Sequence, residues 1–195
     1  MSFANSTRSK IREFYRQLRS DLGQGPLAVN AAHRLLASSI DAHMIEQGYK
    51  KLGQGDIASA WQRKGEQRIV KISRKDRARP MTMWVDYVSK NSSQHFPVFY
   101  GREVFEHGGH DWVKVEMDRY KPLPTPVQKQ VAAAWDYINK TKPARPGDNL
   151  LDVMLRVAQY GLKHNLHEDY VQRGRVKNLM AHGSQIIIVD PWSGE

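Results

Sequence analysis

The amino-acid sequence predicts an α+β protein with a helical extension, a mostly β lobe and a small helical lobe. Three observations predict it. Apolar residues recur at helical spacing up to about Glu46, and the period then shortens to that of strands between Tyr49 and Met117. A proline-spaced stretch, Lys121-Pro122-Leu123-Pro124-Thr125-Pro126, follows as a poor strand or helix and a good connector. The expected divisions are residues 1–46, 47–120 and 121–195.

Ile11, Phe14, Tyr15 and Leu18 recur at three and four, Gly23-Gln24-Gly25-Pro26 interrupts them, and Leu35, Leu36, Ile40 and Met44 resume the pattern. Strands are expected at Gly48–Leu52, Ala58–Gln62, Arg68–Ser73, Pro97–Gly101 and Trp112–Met117. Pro80–Lys90, with Met81, Trp84, Val85 and Val88, is the helix among them, and the turn-rich Glu106–Asp111 joins two antiparallel strands. Beyond the connector, Val127–Asn139 reads as a helix and Lys142–Gly147 as a loop. Asp148 then stands where a cap belongs, before an amphipathic helix carrying Leu151, Met154, Leu155, Ala158 and Leu162. Two short apolar strands around Gly183-Ser184 close the chain.

With 195 residues, 40% of them hydrophobic, the chain can bury one core or two small ones. The longest apolar run, Ile186–Val189, is far below the roughly 18–20 residues of a membrane span, and the first residues lack a signal peptide's apolar core, so no membrane association is expected. Cysteine is absent, which excludes disulfides, thiolate catalysis and cysteine-ligated zinc. His107 with His110, and His164 with His167, have metal-like spacing but no third ligand nearby, so a turn and a helix end account for them. Trp84, Trp112 and Trp135 sit in apolar patterns and are expected in the core, and no Gly-x-Ser-x-Gly nucleophile motif occurs.

The 30 Lys+Arg against 20 Asp+Glu give a formal charge of +10, which favours anionic partners. Arg63, Lys64, Arg68, Lys71, Arg74, Lys75, Arg77 and Arg79 crowd one stretch with only Glu66 and Asp76 between them. That cluster is either a solvated face or a surface for an acidic protein or nucleic acid.

Three motifs carry chemistry. Gly53-Gln54-Gly55 lies between two strand-like runs, a context that argues against a dinucleotide fold and fits either a plain structural hairpin or one whose backbone N–H groups approach phosphates. Lys71 follows sixteen residues after Gly55 inside the apolar run Ile69-Val70-Lys71-Ile72, where an ammonium needs an anionic partner unless the strand is an exposed edge. The tail hairpin brings Asn178 and Asp190 to one end, where an amide oxygen and a carboxylate suit a magnesium ion.

The order of glycine hairpin, strand lysine, hinge, long helix, Asn-containing loop, strand and Asp resembles the protein-kinase-like fold. More narrowly, Gly48–Trp61, Val70-Lys71-Ile72, Phe96–Tyr100, Asn178-Leu179-Met180 and Val189–Ser193 resemble the early serine/threonine kinases of short-tailed lytic coliphages, over scattered motifs from Gly48 onward. The resemblance implies two lobes, an antiparallel β N-lobe and a minimal helical C-lobe, with ATP and Mg²⁺ as cofactors. It implies that Gly53 and Gly55 cover the phosphates, that Lys71 binds them, and that Met117, Asp118 and Tyr120 line the adenine. Asn178 and Asp190 would hold the metal. It further implies phosphorylation of host proteins, transcription or translation components among them, in the cytoplasm of an infected bacterium.

The family's catalytic aspartate stands five residues before the metal-binding asparagine, and that count reaches Arg173 here. Asp169 is the nearest carboxylate and the candidate base, at the cost of a loop longer by four residues. In a second register Asn165–Tyr170 replaces both functional residues. Asp86 is the one acid in the Pro80–Lys90 helix that could pair with Lys71. Two functions therefore stand side by side: an active kinase, and a silent kinase fold that binds a host protein or nucleic acid.

Overall fold

The computed structural model describes residues 39–55, 57–141, 148–172 and 175–193. The expected helical pattern through Leu36, Asp56 in the glycine turn, the loop 142–147 and position 173 lie outside them. The fold is α+β with antiparallel pairing, and no helix of the described residues is long and apolar enough to cross a membrane. The chain divides into two compact units. One holds the described residues up to Asp76 with Gly101–Glu116, and the other Arg77–Tyr100 with Met117 onward.

The first unit is built on a sheet in the order β1-β2-β3-β5-β4, from β1 (Tyr49–Gln54), β2 (Ser59–Arg63), β3 (Arg68–Arg74), β4 (Phe99–His107) and β5 (His110–Asp118). Each strand forms where the sequence alternates. In β3, Val70 and Ile72 are buried while Ile69 and Lys71 are partly open, and in β5 Val113, Val115 and Met117 are buried against half-open Lys114, Glu116 and Asp118. Helix α1 (39–46) delivers Ile40 and Met44, one turn apart, to a core with Trp61, Val70, Ile72 and Trp112. The helical lead-in is thus, over 39–46, part of this core.

In the second unit, helix α2 (Arg79–Lys90) starts on Pro80 and buries Met81 and Trp84. The sequence divisions placed α2 with the β strands, whereas its Trp84 packs with Phe96, Trp135, Leu166 and Trp192. Two short strands, β6 (Lys121–Pro122) and β10 (Leu179–His182), pair with Met180 opposite Pro122, and β11 (Gln185–Ile188) flanks β10 on its other side. The connector is therefore an edge strand at its start, which proline permits because the outer side needs no N–H. Helix α3 spans Thr125–Thr141 and α4 Leu150–Lys163.

Asn149, and not Asp148, caps α4: its side chain accepts the Asp152 N–H at 3.1 Å. Asp148 instead accepts the Ser93 hydroxyl at 2.5 Å, which together with the Gln94 N–H holds its carboxyl below the usual range. Gly161 of α4 lets Trp192 in, since a Cβ there would stand 2.4 Å from the indole nitrogen, which donates to the Val157 carbonyl at 3.1 Å.

Candidate functional site

The predicted residues fall into two groups, one in each unit. In the first, Gly53 stands opposite Ala60 on β2 and Ala60 opposite Lys71 on β3, so the three form one row across the sheet. Directly opposed residues share a face. Lys71 therefore lies on the face away from Val70 and Ile72, and the next two positions of its row carry a methyl group and no side chain.

Gly53 has no left-handed φ, and no described atom lies within 4 Å of where its Cβ would be. Gly53 follows a register shift between Lys51 and Gly53 in the β1–β2 pairing, a bulge where glycine is common, and what the glycine leaves is open space. Gly55 is tighter: its N–H donates to the Ala58 carbonyl at 2.8 Å, and a Cβ would stand 3.4 Å from that same oxygen. Ser73, buried on β3, reaches the Ile57 carbonyl at 2.5 Å and ties this hairpin to the lysine strand.

In the second unit Asp169, Asn178 and Asp190 come together. The Asn178 amide nitrogen donates to the Asp169 carboxylate and to its carbonyl, each at 3.1 Å. With that nitrogen turned to two acceptors, the amide oxygen points the other way. Asn178 adopts φ 58°, a left-handed conformation asparagine tolerates better than most residues. Backbone bonds fix the rest: Val189 N–H to the Asn178 carbonyl at 2.8 Å, and Asp169 N–H to the Pro191 carbonyl at 2.8 Å. Asp190 is the residue held between those two anchors.

The nine-residue separation of Asp169 and Asn178 is absorbed by a small hairpin. Strands β8 (Val171–Gln172) and β9 (Arg175–Val176) pair with Val171 opposite Val176, and the Lys177 N–H closes the base on the Tyr170 carbonyl at 2.7 Å. The pairing of β8 with β9 keeps Asp169 and Asn178 in contact across this separation. Tyr170 anchors the floor: it is fully buried, its hydroxyl donates to the Met154 carbonyl at 3.2 Å, and burial raises its pKa well above the ordinary value. On the other side β7 (His167–Glu168) pairs with β12 (Trp192–Ser193).

Met117, Asp118 and Tyr120 are already engaged within the second unit. Met117 is buried, the Asp118 carboxylate accepts the Tyr100 hydroxyl at 2.9 Å, and the Asp118 N–H donates to the Val98 carbonyl at 3.2 Å. The Tyr120 oxygen accepts the Val98 N–H at 2.9 Å, and burial raises its pKa. Asp86 stands on α2 in the second unit, Lys71 on β3 in the first.

The basic cluster has more internal partners than the linear sequence offers. Arg63 meets Glu66 at 3.9 Å, Arg68 meets Glu116 at 3.1 Å, Arg74 pairs with Asp76, and Lys75 meets Asp111 at 3.0 Å. Arg79 donates to the His164 carbonyl at 2.7 Å. Glu116 and Asp111, distant in sequence, answer part of the charge that a partner in trans was invoked to answer.

Sequence reasoning missed Tyr170 and Trp192, which support Asp169 and Asp190 from below. The signal was their position, one residue from Asp169 and two from Asp190. Comparison with protein-family models and with curated protein sequences finds no match to this chain.

Proposed function

We propose that the chain is an ATP-dependent serine/threonine protein kinase of the phage type, acting on host proteins. The observation that carries this reading is the Asp169–Asn178 contact at 3.1 Å with Asp190 held beside it. The Asn178 amide oxygen and the Asp190 carboxylate are hard oxygen donors, a pair that fits Mg²⁺, with the Asp169 carboxylate beside them as the base. The Gly53–Ala60–Lys71 row supplies a cation on a face kept clear by small residues. When bound, the metal neutralises charge that develops on the transferring phosphoryl group.

In this reading Lys71 holds the ATP phosphates, Gly53 and Gly55 let the backbone lie close over them, and Asn178 and Asp190 hold the ion. Asp169 accepts the proton of the substrate hydroxyl as its oxygen attacks the γ-phosphorus and ADP leaves. The bond from Asn178 orients that carboxylate.

Thermal shift with ATP and Mg²⁺ tests the binding part. Stabilisation by millimolar nucleotide that is lost in Lys71→Ala and made metal-independent in Asp190→Ala is expected, and no shift at all contradicts it. Transfer of labelled phosphate to a bacterial lysate, abolished by Asp169→Asn, tests the chemistry. Nucleotide binding without transfer, with a host protein still retained in a pull-down, would make the chain a silent kinase fold.

A further inference from the structure

The outer edge of β4 is its own complement. Gly108 at φ +62° and Gly109 at φ +77° form a two-residue turn with both residues left-handed, so His107 and His110 are the first hydrogen-bonded pair of the β4–β5 hairpin. Glu103 and Phe105 then also direct their backbone groups inward to β5, and the Lys114–Glu103 ion pair at 2.6 Å sits on that register. Arg102, Val104 and Glu106 direct theirs outward, to an edge on which no described strand pairs. The His43 ring lies against Phe105 and His107, with centroids 5.9 and 4.3 Å away, so Arg102, Val104 and Glu106 share the other face. All three are exposed, Val104 by 54%.

A nine-residue edge strand, open on both faces from Tyr100 to Val104, is a template for another strand. We infer that a second copy of this chain pairs with it, antiparallel, about a two-fold axis at Val104. The charges select that register. Centred on Val104, each Arg102 faces the second copy's Glu106 and valine faces valine. Centred on Arg102 or on Glu106, like charges meet at the axis, and centring on residue 103 or 105 faces a charged residue with Val104. The pair is isologous, as a two-fold contact requires, and joins two five-stranded sheets into one.

The full-length chain tests this by sedimentation equilibrium up to about 100 μM, a range that captures contacts smaller than a standard interface. A dimer is expected, weakened at least tenfold by Arg102→Glu and by Glu106→Arg and restored when both reversals are combined, because the double variant is again its own complement. The chain has no cysteine, so single cysteines report the register directly. Opposed hydrogen-bonded residues stand about 5.5 Å apart at Cα, so Val104→Cys should be joined by a short bis-maleimide and Gly101→Cys should not. A monomer throughout that range, a dimer indifferent to both reversals, or equal crosslinking at 101 and 104 would overturn the inference.

Discussion

Asn178 is the residue on which the grouping of Asp169, Asn178 and Asp190 turns. It alone combines a left-handed backbone with two bonds to Asp169, so Asn178→Ala removes both bonds and leaves a residue ill-suited to that φ. Gly161 is the corresponding residue for packing. Gly161→Ala drives a methyl group into Trp192, at a cost of about 1–3 kcal/mol, read as a lower thermal midpoint. An unchanged midpoint would mean that Trp192 is not held against α4.

His43 sets a pH dependence. Burial, then the facing His107, lowers its pKa from 6.5, while Glu46 pulls the other way. The unfolded chain then takes up the proton first as pH falls. His43 therefore adds no penalty above about pH 7.5 and costs stability on descent through 6.5. Thermal melts at about pH 7.5 and 5.5 should show a loss on acidification that shrinks in His43→Phe, which keeps a ring against Phe105. An equal loss in the variant would assign it elsewhere.

At the scale of elements, the helices and the strands of the larger sheet were legible where alternation and helical period survive, while β4 runs Phe99–His107 where Pro97–Gly101 was expected and the two-residue strands β7, β8, β9 and β12 were not expected. Val113-x-Val115-x-Met117 and Ile69-x-Lys71 read the same in sequence and structure. Two further local features were not legible. Lys121–Pro122 becomes a strand because β10 offers it a partner, which no local propensity encodes. Asp148 and Asn149 are adjacent good caps, and the choice between them was made by Ser93, which takes Asp148 for its own turn. Asn149→Ala should therefore cost about 1 kcal/mol of stability through α4, whereas Asp148→Ala should loosen the 93–95 turn and leave the cap bond intact. Denaturant midpoints of the two single variants and the double separate these effects, since independent sites add.

The hairpin β8–β9 shows how far sequence spacing and spatial distance can differ. Asp169 and Asn178 are nine residues apart in sequence, yet the contact between them is direct. Sequence distance constrains the path, not the ends.

Over the whole molecule, the charge balance and the two groups of predicted residues carry different weights. Ion pairs such as Arg68–Glu116 and Lys75–Asp111 lie at the surface and are worth roughly 0–1 kcal/mol each, so they temper the basic surface without defining the fold. A nucleic-acid partner on this face would show affinity falling steeply with salt, whereas an acidic protein would show a milder slope. The proposed function assigns the nucleotide phosphates to Lys71 and the metal and proton to Asp169, Asn178 and Asp190. The measurement that tests this most directly is transfer of the γ-phosphate of labelled ATP to bacterial lysate proteins with Mg²⁺, comparing the native chain with Lys71→Ala, Asp169→Asn and Asp190→Ala. Labelled serine and threonine in host proteins with the native chain, and none with any of the three variants, is the predicted result. Absence of labelling with the folded native chain, or labelling that survives Asp169→Asn and Asp190→Ala together, would contradict it.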